Sequence, residues 1–327
     1  MSPLAPLSSR PRRHARVLRL AVLLATTLAA VACGGGSASL PPATTSTPAP
    51  PAAAAFPRTV TDSSGTQVRL AAPARRVISL SPGLTEVLYA IGAGDRVVAT
   101  DRFSDYPAAA AQTPKLEYSS PSAEATFAHA PDLVIMTGNQ KPQVAQFRAL
   151  GLPVLYLEEA PTVQAVLEHI ALLGTLTAHD RAAQALVAAM RQRIEAVTAK
   201  LSTVTQGPRV FYELSPDLYT AAAESFIGGM LTLLKAQNAA QGATSAFPQL
   251  SAEAVIAFDP EVVLLTDAVS AKQSAETVAA RPGWAHVAAV QRRRIHPIDA
   301  DLVNRPGPRI AEGLETMARL LYPEQFR

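Results

Sequence analysis

Between Thr177 and Leu201, apolar residues recur at Ala183, Leu186, Val187, Met190, Ile194, Val197 and Leu201. That spacing sets them along one face of a helix. Thr177 with Asp180 three residues on reads as a capping box in which Asp replaces Glu. Gly207-Pro208 ends the segment, because proline cannot continue a helix. About 25 residues at a 1.5 Å rise make a rod of roughly 38 Å, long enough to cross a small domain. On either side the periodicity changes. Thr59–Leu70 alternates around Ser63-Ser64-Gly65 and predicts a hairpin. Short apolar strands are expected at Val77–Leu80, Val97–Thr100, Leu133–Met136 and Val154–Leu157, then at Val210–Glu213, Val262–Thr266 and Ile295–Pro297. Helical patterns separate them at Leu84–Ile91, Glu124–His129, Gln143–Leu150 and Val163–Leu176. Beyond the long helix they recur at Phe226–Ala236, Ala252–Ala257, Trp284–Val290 and Arg309–Leu321. Ser225 is placed to cap the helix that starts at Phe226. Asp101–Tyr118 reads as a loop. Strands alternating with helices imply parallel sheets covered on both faces.

The pattern occurs twice. Ser122–Gly138, SAEATFAHAPDLVIMTG, aligns with Ser251–Asp267, SAEAVIAFDPEVVLLTD, at an offset of 129 with eight of 17 positions identical. Before each copy runs an apolar strand into Leu-Ser-Pro, Arg76–Pro82 and Arg209–Pro216. That period is too long for a solenoid and is the size of a lobe. The fold class is therefore α/β: two Rossmann-like lobes with parallel sheets, joined by a single long backbone helix. The expected boundaries are an N-terminal lobe over 57–176, the connecting helix over 177–203 and a C-terminal lobe over 204–327.

The 327 residues are 48% apolar and 17% charged, sufficient for two cores. Residues 1–32 hold five arginines (10, 12, 13, 16, 19) and no acid, and a short apolar run from Leu20 to Ala32, the features of a signal peptide. Subtracting those five charges from the net +3 leaves −2, which offers nothing to nucleic acid. The run ends Ala30-Val31-Ala32-Cys33, and Cys33 is the only cysteine. This is similar to a bacterial lipobox, so Cys33 is the expected lipidation site and membrane anchor; plain cleavage after Ala-Val-Ala is the alternative. Residues 33–55, rich in Gly, Ser, Thr, Pro and Ala, read as a flexible tether. One cysteine excludes disulfides within the chain and thiolate-held metal clusters.

No catalytic motif is present: there is no G-x-S-x-G, no phosphate-binding G-x-x-x-x-G-K-[ST] and no H-E-x-x-H. The six histidines are scattered without i,i+3 or i,i+4 pairing, so no metal site and no cofactor is expected. A binding cleft is favoured, because open α/β sheets take ligands at the carboxyl ends of their strands. Those ends carry Ser81, Pro82, Gly138, Asn139, Ser215 and Tyr219. Tyr106, Tyr118 and Phe247 lie in loops able to reach the same place, as ligand stackers or as ordinary packing. Glu124 and Glu253 take equivalent places in the first turns of two short helices. A carboxylate there complements the helix dipole, and a repeat would copy it for that reason alone. The functional reading is two exposed acids, one per lobe, that dock on basic residues of a symmetric partner.

Three runs, RVISLSPGLTEVLYAIGAGDRVVATDRFSDYP, APDLVIMTG and RPGPRIAEGLETMARLLYP, are similar to the periplasmic binding proteins that serve ABC importers of metal chelates. The resemblance extends from about Thr59 to Pro323 and implies two lobes on one backbone helix, capture without chemistry, and delivery to a permease dimer with its ATPase. It implies that Glu124 and Glu253 dock against permease arginines. In cobalamin binders of this family, aromatics stack on the corrin near Tyr118 and Phe247, where the family's tryptophans are replaced here. By the same resemblance Asp301 and Arg305 lie near the ligand, and Ser104-Asp105-Tyr106-Pro107 is closer to the cobalamin branch. The expected protein is a lipid-anchored capture component for a corrinoid. The alternatives are a ferric siderophore, which calls for more cleft cations than Arg305, or haem, which calls for an axial Tyr or His such as Tyr106, Tyr118 or Tyr219. From another class, an exported α/β enzyme would have Asp301 as its candidate acid.

Overall fold

A computed structural model describes residues 56–327. The expected signal peptide, Cys33 and the tether lie outside the described residues. Among the described residues no helix is long and apolar enough to cross a membrane.

The first lobe opens with the hairpin, β1 (Arg58–Thr61) against β2 (Gln67–Leu70). It continues through β3 (Val77–Ser79), α1 (Pro82–Ala90), β4 (Val97–Asp101), α2 (Ala108–Ala111), β5 (Lys115–Leu116), α3 (Ala123–Phe127), β6 (Leu133–Thr137), α4 (Lys141–Ala149), β7 (Val154–Leu157) and α5 (Val163–Leu176). Its sheet has the order β5-β4-β3-β6-β7, all parallel. After α6 (Asp180–Lys200) the second lobe runs β8 (Arg209–Glu213), α7 (Phe226–Leu233), β9 (Gln237–Asn238), α8 (Ala252–Phe258), β10 (Val262–Leu265), α9 (Ala275–Ala279), α10 (Ala288–Gln291), β11 (Ile295–Pro297), α11 (Ala300–Val303) and α12 (Ile310–Leu321). Its parallel sheet has the order β11-β10-β8-β9. The α/β reading with two parallel sheets holds. The loop expected over 101–118 contains α2 and β5, and α9 and α11 stand where no element is expected; all are too short for a periodic signal. The helix expected over 284–290 divides into a 3₁₀ turn at Trp284–His286 and α10.

Helix α6 is shorter than the expected 177–203 segment. Thr177 closes α5, where its hydroxyl donates to the Leu173 carbonyl at 2.7 Å, so the Thr177–Asp180 capping box does not form. His179 precedes the first turn and supplies no side-chain cap; Asp180 sits inside that turn, where its charge favours the free amides. The buried face is the one the spacing marks: Ala183, Met190 and Val197 are enclosed, with Leu186, Val187 and Ile194 against the same core.

Strand residues alternate between two cores in each lobe, as the pleat requires. Ile78, Val134, Met136 and Val154 point one way into a core closed by Phe147 of α4. Phe211, Val263 and Leu265 do the same in the second lobe beneath Val255 and Trp284. The opposite faces, Val77, Leu133 and Ile135 in the first lobe and Val210, Val262 and Leu264 in the second, belong to one continuous core that also takes in α1, α5, α6, α7 and α12. The two lobes therefore share hydrophobic interior along the helix side.

The repeat is visible in atoms as well as letters. Ser122 caps α3 by accepting from Ala125 N at 3.2 Å, and Ser251 caps α8 by accepting from Ala254 N at 3.1 Å. A left-handed residue precedes the proline after each helix, Ala130 (φ 44°) three residues beyond the end of α3 and Asp259 (φ 51°) at the C-cap of α8. Arg76 Nε donates to the Ala130 carbonyl at 2.9 Å, and Arg209 Nε to the Asp259 carbonyl at 2.8 Å. Asp132 and Glu261 then accept the backbone N–H of Arg76 and Arg209. One device thus ties helix end to strand start twice.

Gly83 of α1 meets the Pro306-Gly307 segment of the second lobe so closely that a Cβ on Gly83 would stand 2.5 Å from the Pro306 carbonyl oxygen. Gly83→Ala is expected to lose about 1–3 kcal/mol through this overpacking, outweighing alanine's helix preference of about 1 kcal/mol. Urea unfolding checks it; an unchanged midpoint would mean that the two segments can part freely.

Candidate functional site

The carboxyl ends of β3 and β6, with the loops after β4, β5 and β7, face α11 and the start of α7 across a cleft. It has two adjoining parts of about 360 and 400 Å³. Tyr118, Glu159, Asn304 and Pro306 line both parts. One part adds Ser81, Pro82, Phe103, Asp301 and Arg305; the other adds Asn139, Glu224 and Phe247.

Of the ten expected ligand contacts, Ser81, Pro82, Tyr118, Asn139, Phe247, Asp301 and Arg305 are thus brought to one place. Three are not. Tyr106 lies on the far side of α1, its ring stacked 4.1 Å from the Arg309 guanidinium. Ser215 Oγ is buried without a partner. Tyr219 bridges to Gln249 and stands away from the cleft. Glu124 and Glu253 are exposed in the first turns of α3 and α8. Hydrogen bonds from their own backbone amides, then from Ser122 and Ser251, hold both carboxyls below their usual range.

Aromatic walls stand open. Phe103 and Phe247 are 50% and 52% exposed, a cost in water unless something flat or apolar covers them. Phe103 meets Tyr118 edge to face, with centroids 5.5 Å apart. Buried Gln140 fixes Tyr118 from behind: its Nε2 donates to the Tyr118 carbonyl at 2.9 Å and to that of Leu80 at 2.8 Å. Burial and the Glu159 charge push the Tyr118 hydroxyl up to about 12, so it is a neutral phenol at ordinary pH. The loop bearing Phe103 hangs on buried Asp101, which accepts from Phe103 N at 2.8 Å and from the Ser104 hydroxyl.

The floor is charged. Arg305 Nη1 meets Asp105 at 2.6 Å, Nη2 meets Asp301 at 2.8 Å, and Glu86 lies 3.7 Å away. Glu86, buried in α1, receives Arg309 Nε at 2.8 Å and Nη2 at 2.6 Å. Burial raises the Glu86 carboxyl, opposed by Arg309 and then Arg305. Arg305 holds Asp105 below its ordinary value. Arg305, Arg309 and Asp301 come from the second lobe, Glu86 and Asp105 from the first. Glu86 and Arg309 carried no signal in the sequence: each is a lone charge in a helical pattern, and 223 residues separate them. Glu159 and Glu224 were missed for a similar reason, since each is one loop acid with no motif around it.

A second buried polar group lies at the carboxyl ends of β8 and β10. Arg281 holds Glu213 with two bonds of 2.6 Å, and Asp267 beside them has no donor for either carboxylate oxygen. Two carboxylates in contact can hydrogen bond only if one keeps a proton. Burial, then the Glu213 charge, raises Asp267 to about 6.

The family described as "Periplasmic binding protein" matches residues 77–302. An uncharacterised ABC transporter substrate-binding lipoprotein of Bacillus subtilis is 31% identical, over 83% of this chain and 88% of its own length. A cobalamin-binding protein of Halobacterium salinarum is 32% identical, over 82% and 75%. Among solved structures, the periplasmic haem-binding protein BhuT with two haems superposes with a TM-score of 0.71 at 28% identity, covering 78% of this chain and all of that one (100%).

The Asp267 geometry has a pH signature. An acid that titrates higher in the folded state takes up its proton there first, so stability rises as pH falls through about 6. Asp267→Asn is expected to add up to about 3 kcal/mol at pH 7.5 and to erase its advantage over wild type near pH 4. Thermal unfolding of both chains across that range checks it; a constant difference would exclude Asp267 as the titrating group.

Proposed function

The chain belongs to the periplasmic binding protein family, among the substrate-binding proteins of ABC importers, and on that premise we propose that it captures a corrinoid. The observation that carries this reading is the pair of half-exposed phenylalanines, with Tyr118, around a cleft with room for a large flat ligand. Phe103, Tyr118 and Phe247 supply stacking faces; Ser81, Asn139 and Asn304 supply neutral hydrogen-bonding groups; Asp301 and Arg305 form the polar floor. The cobalamin-binding name of the Halobacterium relative supports the same ligand class. Pro82 shapes the wall as the first residue of α1, while Tyr106 and Tyr219, outside the cleft, drop out of the contact set.

The haem alternative keeps support from the BhuT likeness, but its axial ligand is hard to supply. Among the described residues Tyr118 is the one tyrosine lining the cleft, and its raised titration disfavours the phenolate that would bind iron. A siderophore carrying carboxylates or catecholates meets no unpaired cation among the described residues lining the cleft. The relatives are transport proteins, which favours capture over catalysis.

Glu124 and Glu253 are the proposed docking acids for the permease dimer, exposed and equivalent about the repeat. Lipidation at Cys33 would hold the protein at the membrane facing that permease; the Bacillus lipoprotein supports this.

Calorimetric titration with cyanocobalamin, haemin and a ferric hydroxamate tests the ligand. One-to-one cyanocobalamin binding is expected, weakened about thirtyfold by Tyr118→Ala or Phe247→Ala, as for a truncated aromatic hot spot. Haemin or hydroxamate binding alone would overturn the corrinoid reading and keep the family. For docking, Glu124→Arg with Glu253→Arg should cut cellular uptake by at least about tenfold through charge repulsion, while ligand affinity in solution is unchanged. Unimpaired uptake would return both acids to a purely structural role.

A further inference from the structure

The cleft contains acids without bases. Of its charged lining residues, Asp301 and Arg305 satisfy each other, and Arg305 is further engaged by Asp105 and Glu86. Glu159 and Glu224 line the cleft with no cationic partner among the described residues. Glu159 comes from the first lobe and Glu224 from the second, so both acids front the space a ligand would fill. The rim cations do not offset them: Arg102 pairs with Glu117 at 3.4 Å and Lys141 with Glu158 at 2.7 Å. In the floor network two guanidiniums, Arg305 and Arg309, face three carboxylates, Glu86, Asp105 and Asp301. The excess throughout is negative.

Glu159 is held there by the fold. It stands over Gly138, whose left-handed φ of 43° follows the end of β6, and a Cβ at that position would come 2.5 Å from Glu159 Oε1. Glu159 is exposed on the cleft wall, and desolvation by the protein packed around it raises its carboxyl above the ordinary value. Asn139, Asn304 and Ser225 are the neutral groups beside these acids.

We propose that this cleft selects its chelate by charge, with Glu159 and Glu224 accepting hydrogen bonds from amide or amine groups on the ligand rim and excluding rims that carry carboxylates. A carboxylate accepts strongly from N–H donors and repels another anion at the same distance. A planar ring bearing amides would satisfy both acids; the same ring bearing free acids would bury like charges together. The inference rests on the reading of the cleft as a chelate site and refines it to a substrate class: amidated, neutral or cationic chelates.

The test compares amide and acid forms of one ring. The full chain is titrated with cobinamide and with a corrinoid monocarboxylate made by hydrolysing one rim amide. In parallel it is titrated with the diamide of haemin and with haemin itself. For whichever ring binds, the amide form is expected to bind at least about tenfold more tightly, with the gap narrowing as salt rises. In Glu159→Gln/Glu224→Gln the gap should shrink to about twofold, chiefly because the acid form binds better. Equal affinity for both forms in wild type overturns the proposal, as does a gap that the double substitution leaves intact. Selective binding of the haemin pair would overturn the corrinoid reading and still decide the charge rule. If neither ring binds, the chelate reading falls and this inference with it.

Discussion

One buried ion pair links the two lobes beneath the cleft. Glu86, enclosed in the first helix of the N-terminal lobe, receives a two-pronged bond from Arg309 at the start of the last helix. Removing a carboxylate from water costs several kcal/mol, and the geometry must be good to offset it. The offset here comes from both lobes at once. Arg309 is braced by the Tyr106 ring, Arg305 adds a second cation, and the Pro306-Gly307 backbone rests on Gly83 without space for a side chain. The cleft floor is built on this joint, so Asp301 and Arg305 take their places because Glu86 does.

The same joint explains why the charge of the cleft is hard to read from composition. The net charge of the chain is small, and Arg305 taken alone suggests a cation waiting for an anionic ligand. Once Asp105, Asp301 and Glu86 are placed around it, the cation is consumed and the unpaired groups are Glu159 and Glu224. What a cleft offers is decided by which charges are left over after the protein has satisfied itself.

Much of the fold was legible because it is written twice. The two SAEA segments and their left-handed residues before proline sit at one offset of 129, and the arginines that grip those turns follow at 133. Local chemistry and long-range repetition therefore agree. The long helix was legible from its apolar face, but not its start, because Thr177 can cap a following helix or close a preceding one and the preceding helix holds it. In the cleft, Tyr118 and Phe247 could be found as loop aromatics near strand ends. Tyr106 has the same signature but lies outside the cleft, against Arg309, 203 positions along the chain by residue number. Glu86, Glu159 and Glu224 had no periodic or motif signal at all; their roles exist only after the chain has folded.

The continuous core along the helix side has a kinetic meaning. A binding protein with separable lobes can store ligand by closing and release it by opening, and its exchange rates follow that equilibrium. Here, swinging the lobes apart would expose shared interior and tear buried charges from their partners. The cleft is closer to a socket than to a jaw. Capture is then a single encounter limited by diffusion and side-chain rearrangement, and escape is governed by the stickiness of the walls. Rapid turnover at a transporter would require outside work on the rim, which on the proposed docking would be delivered through the two exposed glutamates.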